Sequence, residues 1–347
     1  MWKRKSICLI TRISGIAGPA SFQRRLSSGL VARGFEVNYR LDDPANRAAL
    51  VIGGTRNLAA LWRARKRGLR IVQRLNGMNW IHRRRPSGLK HALRAELNNR
   101  LLFLIRNWFA DHVVYQSRFA QEWWERVYGL APAPASVIHN AVPLEIYSPS
   151  GPQAPPKDRI RLLVVEGNLG GGYEIGLDWA LQLALDLRAD LQTPVELVLA
   201  GTAADGVQQR LGDGQGVDLR WLGTVPPERI PALDRSAHLL FAADLHPACP
   251  NSVIEALACG LPVVSYRTGA LPELVGPEAG RLADYGSDPW RLESPDAAAL
   301  LRAARELLAD LPRFRSGARA RAEAAFGLEP MLEAYLNVLL DRPSTQL

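Results

Sequence analysis

The sequence predicts two doubly wound α/β domains, each with a parallel sheet covered by helices. Short apolar runs typical of buried strands alternate with helical patterns along the whole chain. The chain has 347 residues, which is more than the roughly 250–300 residues that one hydrophobic core usually supports. A proline-rich stretch, residues 147–159, interrupts the alternation and can continue neither a helix nor a sheet.

Apolar runs on either side of this stretch assign the strands. In the first half they are ICLITRISG, FEVNYRL, ALVIGG, RIVQRLNG and HVVYQS, and in the second IRLLVVEGN, VELVLAG, VDLRWLG, HLLFAAD and LPVVSYR. We therefore place a first domain at 1–148, a linker at 149–158, a second domain at 159–325 and a helix at 326–347 that packs back toward the first domain. Such sheets bind ligands outside the carboxyl ends of their strands, so we expect a cleft between the two domains.

Charge is divided unevenly between the two halves. Residues 1–157 contain 26 Lys and Arg against 8 Asp and Glu, a net charge of +18, whereas the remainder contains 17 against 26, a net charge of −9. A basic half favours an anionic partner, with a merely solubilising surface as the alternative. We expect no nucleic acid, because no recognised binding motif occurs.

Other bulk properties narrow the class further. No uncharged apolar run reaches about 18 residues, so we expect no transmembrane helix. The three cysteines have no metal-binding spacing and suit a reduced cytosol.

Residues 83–108 form the most basic helical pattern. Leucines recur there at helical spacing, with Lys and Arg between them and Arg83–Arg85 in front. The leucine spacing favours a helix packed on the core with a solvated basic face. The basic cluster favours contact with an anionic membrane surface or with a lipid-linked phosphate acceptor. The leucines are Leu89, Leu93, Leu97, Leu101 and Leu104.

The segment CPNSVIEALACGLPVVSYRTGALPELV, residues 249–275, predicts a helix at the carboxyl end of a strand. Ser252 and Glu255 fit a capping box, in which the serine caps the helix and the glutamate bonds back to it. The same helix start would offer N–H groups and a partial positive charge to a diphosphate. Asn251 and Ser252 would add donors, and Glu255 would accept hydrogen bonds from ribose hydroxyls.

This segment resembles the donor-site signature of the GT-B glycosyltransferases of family 4, a large family of retaining enzymes. ITRISGIAGPASFQRRLSSGLVARGFEV resembles the family's first strand, glycine loop and first helix. VVYQSRF and VIHNAV resemble the segments that close the first domain, and VDLRWLGTVPPERIPALDRSAHLLFAAD resembles the unit before the donor segment. The resemblance covers nearly the whole chain. It implies the GT-B fold, with two Rossmann-like domains facing a central cleft, and transfer of a sugar from a nucleotide-sugar donor.

By this resemblance, Glu255 matches the second glutamate of the family's E-x7-E motif, which contacts the ribose. Gly15 and Gly18 match the loop that lets the first domain approach the donor phosphates, where a side chain would block the approach. The donor-binding residues that we expect are Gly15, Gly18, Asn168, Asn251, Ser252, Glu255 and Arg267.

Two positions depart from the family's pattern. Pro247 stands where the first glutamate of E-x7-E is expected, and Asp244 and His246 are the nearest substitutes. Asn168 stands where the family has an arginine, and the usual lysine does not follow it. GNLGGG would still cradle phosphate through backbone amides. The arginines considered as replacements are Arg12, Arg74 and Arg267.

The loop RLNGMNWIHRRR follows the fourth predicted strand of the first domain and is expected on the acceptor side. Its candidate residues are Asn76, Gly77, Asn79 and His82. His82 and Glu255 are the candidate catalytic residues, with an ordinary loop histidine as the alternative for His82.

No Asp-x-Asp motif occurs, which favours transfer without a metal or other cofactor, helix ends and basic groups stabilising the leaving diphosphate. The resemblance implies front-face displacement, in which the leaving phosphate helps to deprotonate the acceptor hydroxyl. We expect a cytoplasmic transferase, peripheral at the inner face of the plasma membrane, that acts on a cell-envelope glycan or lipid-linked acceptor.

Pro247 and Asn168 motivate two alternatives. One is an inactive GT-B protein that binds a nucleotide or glycan or partners an active transferase, and the other is a sugar-nucleotide epimerase of the same fold.

Overall fold

The chain folds into two compact units, each built on one parallel six-stranded sheet. The computed structural model describes residues 5–15, 18–85, 88–169, 174–203 and 205–341. Contacts assign Met1–Ala141 and Leu328–Leu347 to the first unit, and Val142–Gly327 to the second. The predicted α/β class with two parallel sheets is confirmed.

The first sheet is formed by β1 (Ser6–Ile10), β2 (Glu36–Asn38), β3 (Asn46–Ile52), β4 (Arg70–Leu75), β5 (His112–Tyr115) and β6 (Ala135–Val137), in the order β2-β1-β3-β4-β5-β6. Its helices include α1 (Gly18–Ala32), α2 (Leu58–Lys66), α3 (Leu89–Trp108) and α4 (Arg118–Tyr128). Every residue of β1 is buried, which is typical of a parallel strand covered on both faces.

The second sheet is formed by β7 (Ile160–Leu169), β8 (Val195–Ala203), β9 (Asp218–Gly223), β10 (Leu239–Phe241), β11 (Val263–Tyr266) and β12 (Gly280–Ala283), in the order β12-β11-β10-β7-β8-β9. Its helices are α5 (Ile175–Leu191), α6 (Asp205–Leu211), α7 (Ile230–Arg235), α8 (Asn251–Ala258), α9 (Leu271–Leu274), α10 (Gly276–Ala279), α11 (Ala297–Ala309) and α12 (Leu311–Ala325). Gly176 lets the first turn of α5 approach the backbone of Ala243, because a Cβ at this glycine would overlap the Ala243 carbonyl. The carboxyl ends of β7 and β10 and the start of α5 therefore lie together.

The last helix, α13 (Leu328–Leu340), packs in the core of the first unit. Its Leu332 lies against Gly29 of α1, where a larger side chain would overlap it. Tyr335 packs on the ring of Phe22, with the centroids 5.2 Å apart. The first unit thus has a core made from both ends of the chain.

The division into units differs from the predicted domain boundaries. The predicted linker, residues 149–158, and the residues just before it belong to the second unit. Arg235 donates hydrogen bonds to the Ser148 carbonyl at 3.0 Å and to Gln153 at 3.2 Å. Arg319 donates to the Tyr147 carbonyl at 2.8 Å. These long-range bonds fix a segment whose proline content predicts only an absence of regular structure.

The leucines of α3 correct a second prediction. Leu89, Leu93, Leu97 and Leu104 are exposed, so the interpretation that this stripe packs on the core is wrong. The helix packs through other residues, described below. Among the residues that the structure describes, no helix is both long and apolar enough to cross a membrane.

Candidate functional site

The start of α8 lies beyond the carboxyl end of β10 in the second sheet. Pro250 occupies its N-cap position with an extended backbone, φ −68° and ψ 125°, and a proline side chain accepts no hydrogen bond. Ser252 is therefore the second residue of the helix, and the predicted capping box of Ser252 and Glu255 is wrong. The first-turn amides of a helix have no acceptor within the helix, so this end is suited to an anion.

Glu255 is almost fully buried one turn into α8, with 7% of its surface exposed. Asp234 of α7, 1% exposed, lies beside it. Burial, and next the charge of Glu255, raise the pKa of Asp234 well above its usual range, while a hydrogen bond with Cys259 partly opposes the shift. The protonated form of Asp234 is favoured, so Asp234 adds little negative charge beside Glu255.

Pro247 packs against the turn that follows β11. Its carbonyl accepts a hydrogen bond from the Ala270 amide at 2.8 Å. Gly269, at φ +57°, lies so close that an added Cβ would be 2.5 Å from Pro247 Cδ. Glycine is required there both by the left-handed backbone and by this contact. Pro247 thus holds two loops of the carboxyl edge together, at the position where the family pattern has a glutamate.

Two other acidic side chains lie at this edge. Glu166, partly buried on β7, has its pKa raised to about 8, by burial first and by the charge of Asp244 second. Burial raises the pKa of Asp244 to about 6, against the opposing effect of the amides of Leu245 and His246. Both shifts favour the protonated forms of these two carboxyls. Glu166 was missed in the sequence, although an acidic residue ending the apolar run LLVV was a signal for it.

His246 is enclosed by an aromatic contact. Its ring stacks on Trp290 with centroids 3.7 Å apart and planes 15° from parallel. Burial lowers the pKa of His246 to about 4, so the imidazole is neutral at pH 7. It offers no positive charge to a diphosphate.

Arg267 and Asn168 are two further residues that we expected to bind the donor. Arg267 follows β11 and is exposed, with its Nε 3.0 Å from Asp284. The backbone of Asn168 pairs with Thr202 in β8. Three glycines of the predicted phosphate cradle, Gly170, Gly171 and Gly172, lie outside the described residues.

In the first unit, Gly15 and Gly18 lie at the carboxyl end of β1. Gly15 has φ +94° and nothing within 4 Å of the position its Cβ would take, so backbone conformation rather than crowding favours glycine. Gly18 begins α1. Residues 16–17 between them lie outside the described residues.

A hydrogen-bonded cluster at the same edge positions the loop that follows β4. Arg74, 1% exposed, donates to Asn76 Oδ1 at 2.9 Å and to Asn140 Oδ1 at 2.6 Å. Its guanidinium also lies 3.8 Å from the ring centroid of Phe22. The Asn76 carbonyl accepts from Trp124 Nε1 at 2.7 Å. Arg74 is thereby used within the first unit, and it is not a candidate for neutralising the diphosphate.

The remainder of the loop is fixed to α3. The buried side chain of Asn99 accepts from the Asn79 amide at 3.1 Å and donates to the Asn79 carbonyl at 2.8 Å. His82 Nε2 lies 2.9 Å from Glu96 Oε1, and 4% of the histidine side chain is exposed. Hydrogen bonding from Arg83, opposed by desolvation and assisted by His82, lowers the pKa of Glu96 to about 2. This geometry favours anchoring over acid–base chemistry for His82. Gly77 lies between the anchored residues.

Comparison with known families gives two matches. A model described as Glycosyltransferase Family 4 matches residues 50–146, and one described as Glycosyl transferases group 1 matches residues 161–310. The second match lies within the second unit and the first lies almost entirely within the first unit, and both models describe glycosyltransferase domains. The predicted resemblance and the enzyme class are confirmed.

The chain is 26% identical over 187 residues to a phosphatidylinositol N-acetylglucosaminyltransferase subunit of Arabidopsis thaliana, a match that covers 53% of this chain and 38% of that protein. The chain thus spans less than half the length of this relative.

Three solved structures share its fold at low identity. Sucrose-phosphate synthase from Thermosynechococcus elongatus has a TM-score of 0.71 at 15% identity, over 96% of this chain and 97% of that one. Anabaena HepE with UDP and glucose has 0.70 at 16%, over 97% and 100%. WaaG, a glycosyltransferase involved in lipopolysaccharide biosynthesis, has 0.69 at 14%, over 96% and 99%.

Proposed function

We propose that this glycosyltransferase moves a sugar from a nucleotide-sugar donor to a cell-envelope glycan or lipid-linked acceptor, with retention at the anomeric carbon and without a bound metal. One observation carries the donor half: α8 begins beyond β10 with its first-turn amides uncapped by Pro250, and Glu255 is buried one turn later. The amides and the helix dipole suit a diphosphate, and the carboxylate suits ribose hydroxyls. The complex of Anabaena HepE with UDP and glucose supports a nucleotide-sugar donor.

The acceptor half rests on charge and on relatives. The basic first half of the chain suits an anionic acceptor or an anionic surface that carries it. The role of WaaG in lipopolysaccharide biosynthesis supports an envelope glycan. We place the reaction in the cytoplasm, at the inner face of the plasma membrane.

The proposed chemistry is a front-face displacement. The bond from the anomeric carbon to the leaving phosphate breaks, the acceptor oxygen bonds to the same face, and its proton passes to the phosphate oxygen. The start of α8 stabilises the charge that grows on the diphosphate. Glu166 and Asp244 take the sugar contacts that Pro247 cannot make, since a protonated Glu166 donates a hydrogen bond and Asp244 accepts one. Arg267 reaches the diphosphate by exchanging its exposed partner, Asp284.

Thermal unfolding with UDP, GDP, ADP and their sugar conjugates tests the donor site. A nucleotide at a hundred times its Kd stabilises by about 2.7 kcal/mol, which raises the Tm of a unit the size of the second one by roughly 5–10 °C. Glu255→Ala should weaken that nucleotide by about 10- to 100-fold, because a charged hydrogen bond contributes about 1.5–3 kcal/mol. Glu228→Ala, at an exposed position on the turn before α7, is the matched control.

The outcomes separate the alternatives. No shift with any nucleotide would contradict the proposal and favour the inactive GT-B protein. Epimerised donor without transfer would favour the epimerase. Transfer that survives a chelator supports metal independence, and loss of transfer that added Mg²⁺ restores would contradict it.

A further inference from the structure

The strongest feature outside the donor site is the outer side of α3. Leu89 is 90% exposed, Leu93 62%, Leu97 55%, Leu104 38% and the terminal Trp108 66%. A single exposed leucine needs no explanation, but a row of five large apolar side chains marks an interaction surface.

These five residues share one side of the helix, where Arg100 lies between Leu97 and Leu104. At 3.6 residues per turn they fall within an arc of about 100° on the helix. The helix is attached by its other side, through buried Ala95, Leu102 and Ile105. Asn99, which is fully buried, and Arg106, bonded to Tyr115 at 2.9 Å, lie on that attached side too. Since these buried residues attach α3 to the core without the leucines of the stripe, the stripe is a second apolar face.

Positive charge surrounds the stripe. Residues 56–108 contain 14 Lys and Arg and a single acidic residue, Glu96. Lys90, Arg94 and Arg100 are exposed on α3 beside the leucines. Glu96 is bound by Arg83 through Nε at 2.6 Å and by His82 at 2.9 Å, so its charge is compensated locally. Negative charge therefore does little to offset the cations of this face.

The C-terminal end of α3 adjoins α2. Arg65 of α2 donates to the Trp108 carbonyl, and its Nε lies 3.5 Å from Asp111. Trp62, 55% exposed, has the Lys66 ammonium 5.6 Å from its ring centroid. Tryptophans with adjacent cations are typical of side chains that lie at the level of lipid head groups.

We propose that this surface, the α3 face, lies on an anionic lipid bilayer. It comprises Leu89, Leu93, Leu97, Leu104 and Trp108, with Lys90, Arg94 and Arg100 as its cations. A helix with one apolar side and flanking cations inserts its apolar side at the head-group boundary, while the cations bind anionic lipids. A second copy of this chain is a poorer occupant, because two such basic faces repel each other. Nucleic acid would not use the row of leucines.

The inference names the surface through which a lipid-linked acceptor is reached, and in that respect it rests on the proposed function. Lipid binding itself requires neither donor nor catalysis. The two proposals can therefore fail separately.

Cosedimentation of the whole protein with vesicles tests the α3 face. Vesicles of two parts phosphatidylcholine to one part phosphatidylglycerol should bind it at low salt, and vesicles of phosphatidylcholine alone should bind it far more weakly. Raising the salt concentration should weaken the binding to the anionic vesicles, because part of the attraction is screened. Tryptophan fluorescence should shift to shorter wavelength as Trp108 and Trp62 leave water.

Two variants separate the charged and apolar contributions. Lys90→Gln, Arg94→Gln and Arg100→Gln together should weaken binding to anionic vesicles on the order of a hundredfold, since each basic residue contributes about fivefold. Leu93→Ser with Leu97→Ser should weaken it on the order of tenfold or more. Both sets change exposed side chains, so circular dichroism and Tm should stay close to those of the parent.

Matched controls lie in the second unit, where the same chemistry is exposed away from α3. Arg291→Gln with Arg302→Gln removes charge from side chains that are 66% and 69% exposed. Leu222→Ser with Ile146→Ser removes apolar side chains that are 45% and 57% exposed. Both should bind vesicles like the parent within about twofold.

Three results would overturn the inference: no sedimentation of the parent with anionic vesicles at low salt, equal loss in the controls, or a dimer that only the leucine variant makes monomeric and that binds no lipid. The nucleotide-induced rise in Tm is measured on the same samples. If that rise persists while lipid binding is absent, the α3 face fails and the donor site stands. The reverse result would leave the α3 face and remove the donor site.

Discussion

The polar side chains at the carboxyl edges of the two sheets differ in how they are satisfied. In the first sheet, the polar groups beyond the strands bind one another: Arg74 bridges Asn76 and Asn140, and Asn99 satisfies the backbone of Asn79. In the second sheet, Glu166 and Asp244 are acidic groups with raised pKa values. The first edge is internally satisfied, whereas the second keeps groups that would be better satisfied by a ligand.

This difference separates stabilising from functional polar groups. A buried hydrogen-bonded cluster fixes the geometry of a loop and adds to stability. Buried carboxyls that stay protonated cost stability, and perturbed groups of this kind cluster at functional sites. Mutations at the first edge should therefore change the free energy of unfolding. Mutations at the second edge should change the pH dependence of that free energy and the affinity for a ligand.

The largest effect is expected for Arg74→Met. This change leaves the half-buried Asn76 and the buried Asn140 without their charged donor, and we expect a loss of about 3 kcal/mol in the free energy of unfolding. Urea unfolding measures it. Arg126→Met, at an exposed position on α4, should change stability by no more than about 0.5 kcal/mol. A loss for Arg74→Met as small as that of the control would contradict the idea that this edge is stabilised by its polar cluster.

The fold was more predictable than the hydrogen-bonded groups at the sheet edges. Alternating apolar runs report burial locally, and they predicted two parallel sheets. The partners of Arg74 are up to 66 positions away, as for Asn140, so no local pattern indicates them. Asp234 and Glu255 likewise come from different helices.

Two local patterns were misinterpreted for identifiable reasons. The spacing of the α3 leucines shows that they share one face of a helix, but it does not show whether the core or another partner covers that face. Ser252 had the composition of a cap, yet the fixed φ of Pro250 begins the helix two positions earlier than the pattern suggests.

A smaller effect is expected for Glu166→Gln, and it depends on pH. The folded pKa of about 8 lies above the ordinary value of 4.5, so the folded state holds a proton that the unfolded state releases between these values. The stability that this proton gives the folded state is fully present below about pH 4.5 and is lost as pH rises through 8. We expect the parent to lose about 2 kcal/mol through this group, less than the full shift implies because the side chain is partly exposed.

Glu166→Gln stays neutral and should be more stable than the parent near pH 8 while matching it near pH 4.5. Urea unfolding across this range measures the difference. Glu228→Gln, at an exposed position, should follow the parent at every pH. Parallel curves for Glu166→Gln and the parent would mean that the second edge holds no such proton.

The smallest effect is expected for Ser252→Ala, and its smallness is informative. A true N-cap serine contributes about 1 kcal/mol, as Ser117 should for α4, where its Oγ accepts from the Ala120 amide at 3.0 Å. Ser252 is instead the second residue of α8, so its loss should cost less than about 0.5 kcal/mol. Ser117→Ala is the matched control in the same urea experiment. If Ser252→Ala instead weakens nucleotide binding while leaving stability unchanged, the start of α8 serves the ligand rather than the helix. A cost equal to that of Ser117→Ala would return Ser252 to the capping role and remove this distinction between the two edges.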